Sequence, residues 1–220
     1  MADGRVERGN QTRRTVLART VELASTEGLE GLSLGRIAGD LGLSKSGVFA
    51  LFGSKEELQI ATVRAAAAVF AAQVVQPVHE QPAGVGKVWR LCELWIAYSA
   101  CRTFPGGCFF RSAAAEFGSR PGPVRDRVAA ARAEWTQYVE QQLHDAGRAG
   151  AFREDAEPVA VPQLAFEIIA LMELADSESV LHDDPAPYER AGRGILGRLR
   201  ALAAAPDELP EQPTAVSPPG

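Results

Sequence analysis

Residues 31–58 read GLSLGRIAGDLGLSKSGVFALFGSKEEL, and this stretch decides the fold of the N-terminal part of the chain. Ser33 precedes a short apolar pattern and is a good N-cap, because its side-chain oxygen can accept an amide N–H from the first helical turn. Gly42 can adopt the left-handed conformation that ends such a helix in a tight turn. Ser44 then caps a second short helix. Two short helices joined by a turn of three or four residues that contains glycine form a helix-turn-helix.

Helical periodicity continues on both sides of this motif. A first helix over about residues 12–27 ends at Gly28, and the capping box Ser54-Lys55-Glu56-Glu57 begins a long helix that runs to about residue 75. Apolar side chains recur at helical spacing in five later segments, which are 85–103, 109–118, 123–146, 159–175 and 186–204. No segment alternates as a strand does. The sequence therefore predicts an all-α protein of about nine helices: an N-terminal helix-turn-helix module of three helices, followed by a helical domain for effector binding and dimerisation.

The segment from Gly28 to Leu58 resembles the TetR family of transcriptional regulators. The similarity lies in Ile37-Ala38, Gly42-x-Ser44, Phe49-x-x-Phe52 and Ser54-Lys55-Glu56-Glu57-Leu58, which are specific in combination. Beyond this segment the resemblance extends by architecture to about residue 204. It implies a repressor that binds a palindromic operator as a homodimer and is released by a small effector, expected to be apolar or aromatic.

The second helix of the motif is the expected recognition helix. If Val48, Leu51 and Phe52 face inward, the exposed side reaches base edges in the major groove. The resemblance implies six DNA-binding residues, which are Lys45, Ser46, Gly47, Phe49, Ala50 and Lys55. Arg36 faces outward on the preceding helix and is the expected second cationic contact. Lys55 stands at a helix N-terminus, which favours a phosphate. Relatives usually carry Tyr where this chain has Phe49, so its reading surface is small and apolar and is expected to depend partly on DNA shape.

Net charge at first argues against a nucleic-acid partner, since the 220 residues carry a formal charge of −5. The acid excess lies in the C-terminal part, however, because eight Arg or Lys and five acids between residues 5 and 55 sum to +3. We therefore expect a flexible basic arm over residues 1–11, a DNA-binding domain over 12–58 and a ligand-binding and dimerisation domain over 59–204. The proline-rich residues 205–220 are expected to form a disordered tail.

Composition excludes several other classes of protein. No run approaches the roughly 18 consecutive apolar residues of a membrane span, and the N-terminus lacks the apolar core of a signal peptide, so we expect a cytoplasmic protein with no membrane partner. The cysteines, Cys92, Cys101 and Cys108, are odd in number and lack metal-ligand spacing. No catalytic residue, metal or cofactor is expected.

The C-terminal helices carry the other two expected sites. The apolar stripes on 159–175 and 186–204 are wider than one packing partner needs, and the resemblance implies that these helices pair with their symmetry mates in a C2 dimer. The dimer surface is assigned to Leu164, Ile168, Leu171, Met172, Tyr188, Ile195 and Leu199. The alternative is that both helices only close the core of the subunit. The resemblance implies an effector pocket between the preceding helices, assigned to Trp89, Trp95, Tyr98, Phe109, Phe110, Trp135 and Tyr138. The candidate polar anchors are Arg102, Glu116 and His144.

Three other functions remain open at this point. Cys108 follows a Gly-Gly turn, so a thiol-based redox-sensing regulator is the main alternative. An enzyme with Cys108 as nucleophile and a histidine as base lacks any supporting signature. A helical adaptor that binds only other proteins would lose nothing when Lys45 and Lys55 are replaced.

Overall fold

The computed structural model describes residues 3–154 and 160–214, with the side chains of residues 3–6 left out. Within these residues the chain forms nine α-helices and no strand, which confirms the all-α prediction. The helices are α1 (Asp3–Glu27), α2 (Leu34–Asp40), α3 (Lys45–Phe52), α4 (Lys55–Phe70), α5 (Val85–Ala100), α6 (Phe109–Phe117), α7 (Pro123–Arg148), α8 (Val161–His182) and α9 (Ala186–Leu202). A π-helical turn, Ala71–Val75, continues α4.

The chain divides into two compact units, and the first is discontinuous in sequence. It comprises the chain up to Val69 together with Phe104–Ala131, so α6 and the start of α7 belong with the helix-turn-helix. The second comprises Phe70–Thr103 and the chain from Arg132. The predicted boundary at residue 58 therefore does not separate these two compact units.

Serine caps and a left-handed glycine shape the helix-turn-helix of the first unit. The Ser33 and Ser44 hydroxyl oxygens accept the N–H groups of Arg36 and Gly47 at 3.2 Å and 3.0 Å. Gly42 has φ +63° where α2 ends. Ile37 and Ala38 of α2 and Val48 and Phe52 of α3 are buried, as their spacing predicts, whereas Leu51 is half-buried.

Helix α1 is longer than its apolar pattern predicts, because it begins at Asp3. Residues 3–11, expected as a flexible arm, are helical, while Met1 and Ala2 lie outside the described residues. Thr12 and Thr15 each donate a side-chain hydrogen bond to the carbonyl four residues earlier. The threonine hydroxyl groups of this segment therefore find their hydrogen-bond acceptors within the helix.

Helix α8 likewise runs beyond its predicted end at residue 175. The next residues, Asp176-Ser177-Glu178-Ser179, are polar and interrupt the apolar pattern on which the prediction rests. The structure buries Asp176 and Ser179 against α5 and α9 and supplies hydrogen-bond partners there, so the helix continues to His182.

The start of the predicted disordered tail is ordered and packs on the second unit. Leu209 is buried, and the Arg200 guanidinium donates to the carbonyl oxygens of Leu209 and Pro210 at 2.8 Å and 3.0 Å. Thr214 donates to the Glu93 carboxylate at 2.9 Å. One buried leucine and these hydrogen bonds hold a segment whose composition alone suggests disorder. Residues 215–220 lie outside the described residues.

One helical stretch, Lys55–Val78, is long and apolar enough to cross a membrane by length and composition alone, with a mean hydropathy of 1.6. Buried helices of soluble proteins pass the same test, and 44% of the apolar window is buried inside the protein. Leu58, Val63 and Ala66 of α4 are fully buried. This stretch is therefore read as a core helix.

Candidate functional site

The recognition helix α3 presents the residues that the sequence assigns to DNA contact. Lys45, Ser46, Gly47, Phe49 and Ala50 are all exposed, and Phe49 is 53% exposed although it is a large apolar side chain. The opposite side of α3 is anchored in the core by Val48 and Phe52. Lys45 makes no ion pair with any residue that the structure describes. An exposed, capped helix with a cation in its first turn has the form needed to read base edges.

The two flanking cations, Arg36 and Lys55, form ion pairs within the same unit. Arg36 makes a two-pronged pair with Glu27, in which Nη2 lies 2.6 Å from Oε1. Lys55 Nζ donates to the carboxylate of Glu30 at 2.9 Å and to its backbone carbonyl at 2.6 Å. Hydrogen bonds from these cations lower the pKa of Glu27 and of Glu30, so both carboxylates stay ionised. Phosphate contact by either cation must therefore compete with an internal acid.

Arg13 of α1 is part of this surface although sequence reasoning missed it. Its Nη1 donates to the carbonyl oxygen of Leu51 at 2.5 Å, and its guanidinium lies 4.4 Å from the centre of the Phe52 ring. The last turn of α3 is thereby tied to α1. A partner separated by 38 residues leaves no local signal in the sequence.

The seven predicted effector residues fall into separate groups. Tyr98, Trp135 and Tyr138 come together in the second unit around Phe70, whose ring lies 5.3 Å from Tyr98 and 5.0 Å from Trp135. Trp135 and Tyr138 stack at 6.3 Å and are half-buried. Trp95 is buried in α5, and Trp89 lines a groove of about 260 Å³. Phe109 and Phe110 pack on each other in the first unit.

Two of the three candidate polar anchors have other partners, and the third, His144, is exposed on α7. Arg102 donates to the carbonyl and hydroxyl oxygens of Ser179 at 3.0 Å and 3.3 Å. Glu116 accepts the N–H groups of Leu29 and Glu30 within the first unit. Arg102 thus belongs to the α8 contact and Glu116 to the turn before α2.

A buried polar network joins α5, α8 and α9 in the core of the second unit. Ser99 donates to the fully buried carboxylate of Asp176 at 2.6 Å and lies 2.9 Å from the hydroxyl of Tyr188. Tyr188 also donates to Asp176 at 3.4 Å. Burial raises the pKa of Tyr188 to about 12, because it disfavours the phenolate. Such a network is expensive to disturb, since each buried group depends on its neighbours.

Alkaline pH is expected to destabilise the protein partly through Tyr188. The unfolded tyrosine ionises at its ordinary pKa of about 10, whereas the folded group keeps its proton to about 12, so stability falls as pH rises between these values. The slope per ionising group approaches about 1.4 kcal/mol per pH unit. Urea unfolding at pH 8, 10 and 11 measures it. Tyr188→Phe, although less stable at pH 8, should show a shallower alkaline loss. An equal fall in the free energy of unfolding between pH 8 and 11 in wild type and Tyr188→Phe would contradict a role of Tyr188 in the alkaline loss.

Two of the three cysteines are shielded from solvent. Cys108, the residue expected to be exposed, is buried, and so is Cys92, whose pKa burial raises to about 12. Cys101 alone among the three is exposed. Thiolates are the reactive form, so burial protects Cys92 against oxidation.

The predicted dimer residues need correction, because six of the seven are core residues of the subunit. Leu164, Ile168, Met172, Tyr188, Ile195 and Leu199 have at most 1% of their surface exposed, and a side chain without exposed surface cannot contact a partner. Leu171 is the exception, at 37%. The exposed apolar side chains of α8 are instead Phe166, Leu174 and Leu181, between 61% and 73% exposed. Phe166, Leu171 and Leu174 line an apolar groove of about 440 Å³ between α8 and α9.

The exposed recognition helix and the α-helical fold define a DNA-binding regulator of the helix-turn-helix class. Residues 16–62 match the model of bacterial regulatory proteins of the tetR family. Residues 84–195 match the tetracyclin repressor-like C-terminal domain. The chain belongs to the TetR family and is a ligand-binding transcriptional regulator.

Solved structures share this fold along nearly their whole length. A TetR transcriptional regulator from Chloroflexus aurantiacus is 24% identical with a TM-score of 0.80, over 90% of this chain and 98% of that chain. A TetR-family regulator from Cytophaga hutchinsonii is 19% identical with a TM-score of 0.77, over 90% and 97%. AibR, solved with isovaleryl coenzyme A and operator DNA, is 20% identical with a TM-score of 0.66, over 84% and 96%. No curated protein sequence matches the chain.

Proposed function

We propose that this chain is a cytoplasmic homodimeric repressor, without enzymatic activity, that binds an inverted-repeat operator and leaves it when a small apolar or aromatic effector binds. The observation that carries the proposal is the capped recognition helix α3, with Lys45, Ser46, Gly47, Phe49 and Ala50 on its exposed side. Lys45 suits the O6 and N7 acceptors of guanine, and the Phe49 ring suits a thymine methyl group. Arg36 and Lys55 are the proposed phosphate contacts, which set the register on the duplex.

The exposed apolar side of α8 is the proposed dimer surface. A soluble protein rarely leaves large apolar side chains clustered on one helix face unless a partner covers them. We assign a second copy of this chain as the partner, because a two-fold axis lets one apolar face cover an identical one. Phe166, Leu171, Leu174 and Leu181 replace the buried residues of the sequence-based assignment. The dimer would present two recognition helices about 34 Å apart, one DNA turn.

The effector is proposed to bind near the aromatic cluster of Phe70, Tyr98, Trp135 and Tyr138. Its half-buried members, Trp135 and Tyr138, offer apolar ring surface that a ligand could cover. AibR combines an effector and operator DNA on a chain of this fold, which supports the same combination here. Release requires that the effector bind one conformation of the dimer better than the other.

Selection of bound duplexes from a randomised oligonucleotide pool tests the proposal most directly. Purified protein should enrich an inverted repeat whose half-sites are about one turn apart. Affinity for the enriched duplex should fall steeply with salt, since each neutralised phosphate contributes about −0.9 to the slope of log K against log salt. Enrichment of an asymmetric site, or of none, would contradict a dimeric repressor. Complete absence of duplex binding would favour the helical adaptor.

Replacing Lys45 with alanine is expected to lower the affinity of the dimer for the selected duplex by about 30-fold, because one base contact is lost in each half-site and each contributes roughly 1–3 kcal/mol. The preference at one base pair of each half-site should relax at the same time. Fluorescence anisotropy with the selected duplex and its single-base variants measures both effects. Lys87→Ala is the matched control, since Lys87 is a half-buried lysine of α5 in the second unit. An equal loss in the two variants would mean that Lys45 acts only through net charge.

A further inference from the structure

The turn between α1 and α2, residues 28–33, is built around a carboxylate from α6. Glu116 Oε2 accepts the N–H of Leu29 at 2.8 Å, and its Oε1 accepts the N–H of Glu30 at 2.9 Å. Gly28 has φ +81°, and a Cβ atom there would lie 2.9 Å from both carboxylate oxygens. Any side chain at Gly28 would therefore be strained and would displace Glu116.

The same two residues of the turn hold the start of α4 on their other side. Lys55 Nζ donates to the backbone carbonyl of Glu30 at 2.6 Å and to its carboxylate at 2.9 Å. Gln59, one turn further along α4, donates to the carbonyl of Leu29 at 2.9 Å. The backbone of Leu29 and Glu30 thus donates to α6 and accepts from α4.

Lys55 gains a defined position from this arrangement. A lysine ammonium on its four-carbon stem otherwise samples many rotamers, and fixing it on DNA costs side-chain entropy. Its bond to the Glu30 carbonyl sets where the ammonium lies relative to the backbone, and Glu116 sets where that backbone lies. Hydrogen bonds to an ionised carboxylate are stronger than those between neutral groups, so Glu116 is an effective anchor for the turn.

We propose that Glu116 of α6 is a positioning residue for the phosphate contact of Lys55, acting through the backbone of Leu29 and Glu30. The inference rests on the proposed DNA-binding function. It goes beyond that function because it gives α6, outside the helix-turn-helix, a part in determining DNA affinity.

A double-mutant cycle between Glu116 and Lys55 tests the proposal. Glu116→Gln keeps the shape but replaces one acceptor oxygen with an NH₂ group, which cannot accept the second N–H. Wild type, Glu116→Gln, Lys55→Ala and the double variant are titrated by anisotropy into the selected inverted-repeat duplex and a 30-base-pair mixed-sequence duplex over a salt series. Asp126→Asn is the charge-matched control, since it removes an exposed carboxylate from α7 in the same unit.

Lys55→Ala is expected to reduce the magnitude of the salt slope by about 2, because the homodimer loses one phosphate contact from each protomer. It should weaken binding to both duplexes alike. Glu116→Gln should weaken binding by about 5-fold when Lys55 is present and by less than about 2-fold when it is absent, because its effect passes through Lys55. The Asp126→Asn control should bind as wild type does. A role in stability alone would lower the melting temperature without this dependence on Lys55.

The possible results decide clearly between these roles. If Glu116→Gln lowers duplex affinity equally with and without Lys55, or in neither case, the positioning role is overturned and the proposed function stays intact. Wild-type protein that binds neither duplex would overturn the proposed function and this inference with it. If Glu116→Gln does not fold, Glu116→Asp replaces it: the shorter carboxylate keeps the charge but does not reach both N–H groups, so the same dependence on Lys55 is expected.

Discussion

Aspartate at both Phe166 and Leu174 is expected to convert the proposed homodimer into a monomer and to weaken binding to an inverted-repeat duplex by about 100-fold. The two side chains are the outer walls of the apolar groove on α8, and both are more than 60% exposed within the subunit. Burying four carboxylates at a two-fold interface is very unfavourable, because each must be desolvated without a partner charge. Each half-site would then bind its recognition helix independently.

Sedimentation velocity and anisotropy together check this expectation. The double variant should sediment as a folded monomer with wild-type helix content, since neither side chain belongs to the core of the subunit. Its melting transition should be lower, because dimerisation no longer stabilises the native state. Gln137→Asp with Gln141→Asp is the control, because both glutamines are exposed on α7 of the second unit. A Phe166→Asp/Leu174→Asp protein that remains dimeric would place the dimer surface elsewhere.

Gly106→Ala is expected to destabilise the first unit by about 3 kcal/mol, among the larger costs of overpacking. A Cβ atom at this position would lie 1.7 Å from the backbone oxygen of Ser25 and 2.4 Å from its carbonyl carbon. These are backbone atoms of α1, which cannot rotate away as a side chain would. The Gly106 N–H also donates to the Ser25 hydroxyl at 3.2 Å, and separation of the two segments would break this bond.

Calorimetry should show the Gly106→Ala transition lowered by about 10 °C for a chain of this size. Gly39→Ala provides the contrast, because a Cβ atom there meets nothing within 4 Å and alanine favours the helix by about 1 kcal/mol. A Gly106→Ala protein as stable as Gly39→Ala would mean that the 104–108 segment does not approach α1 this closely.

The helix-turn-helix could be predicted because its signals are local. Serine caps, a left-handed glycine and apolar residues three or four positions apart act within one or two turns. The exposed residues of α3 followed from the same periodicity. The acids that pair with Arg36 and Lys55 could not be predicted, because Glu27 and Glu30 reach them only after the chain folds back.

The side of α8 that faces the core could not be assigned from spacing. Leu164, Ile168 and Met172 form one apolar stripe, and Phe166 and Leu174 lie on another, so periodicity alone does not say which stripe is buried. The packing of α8 against α5 and α9 decides it.

The discontinuous first unit limits how this regulator can be recombined with others. Exchange of residues 12–58 alone would join a foreign α1–α2 turn to the resident Glu116 and a foreign α1 to the resident Gly106. Both contacts depend on particular backbone geometry in the two segments. A hybrid with altered operator specificity therefore needs residues 104–131 from the same parent as its helix-turn-helix, or substitutions confined to the exposed side of α3. Evolution of new specificity within this fold faces the same restriction.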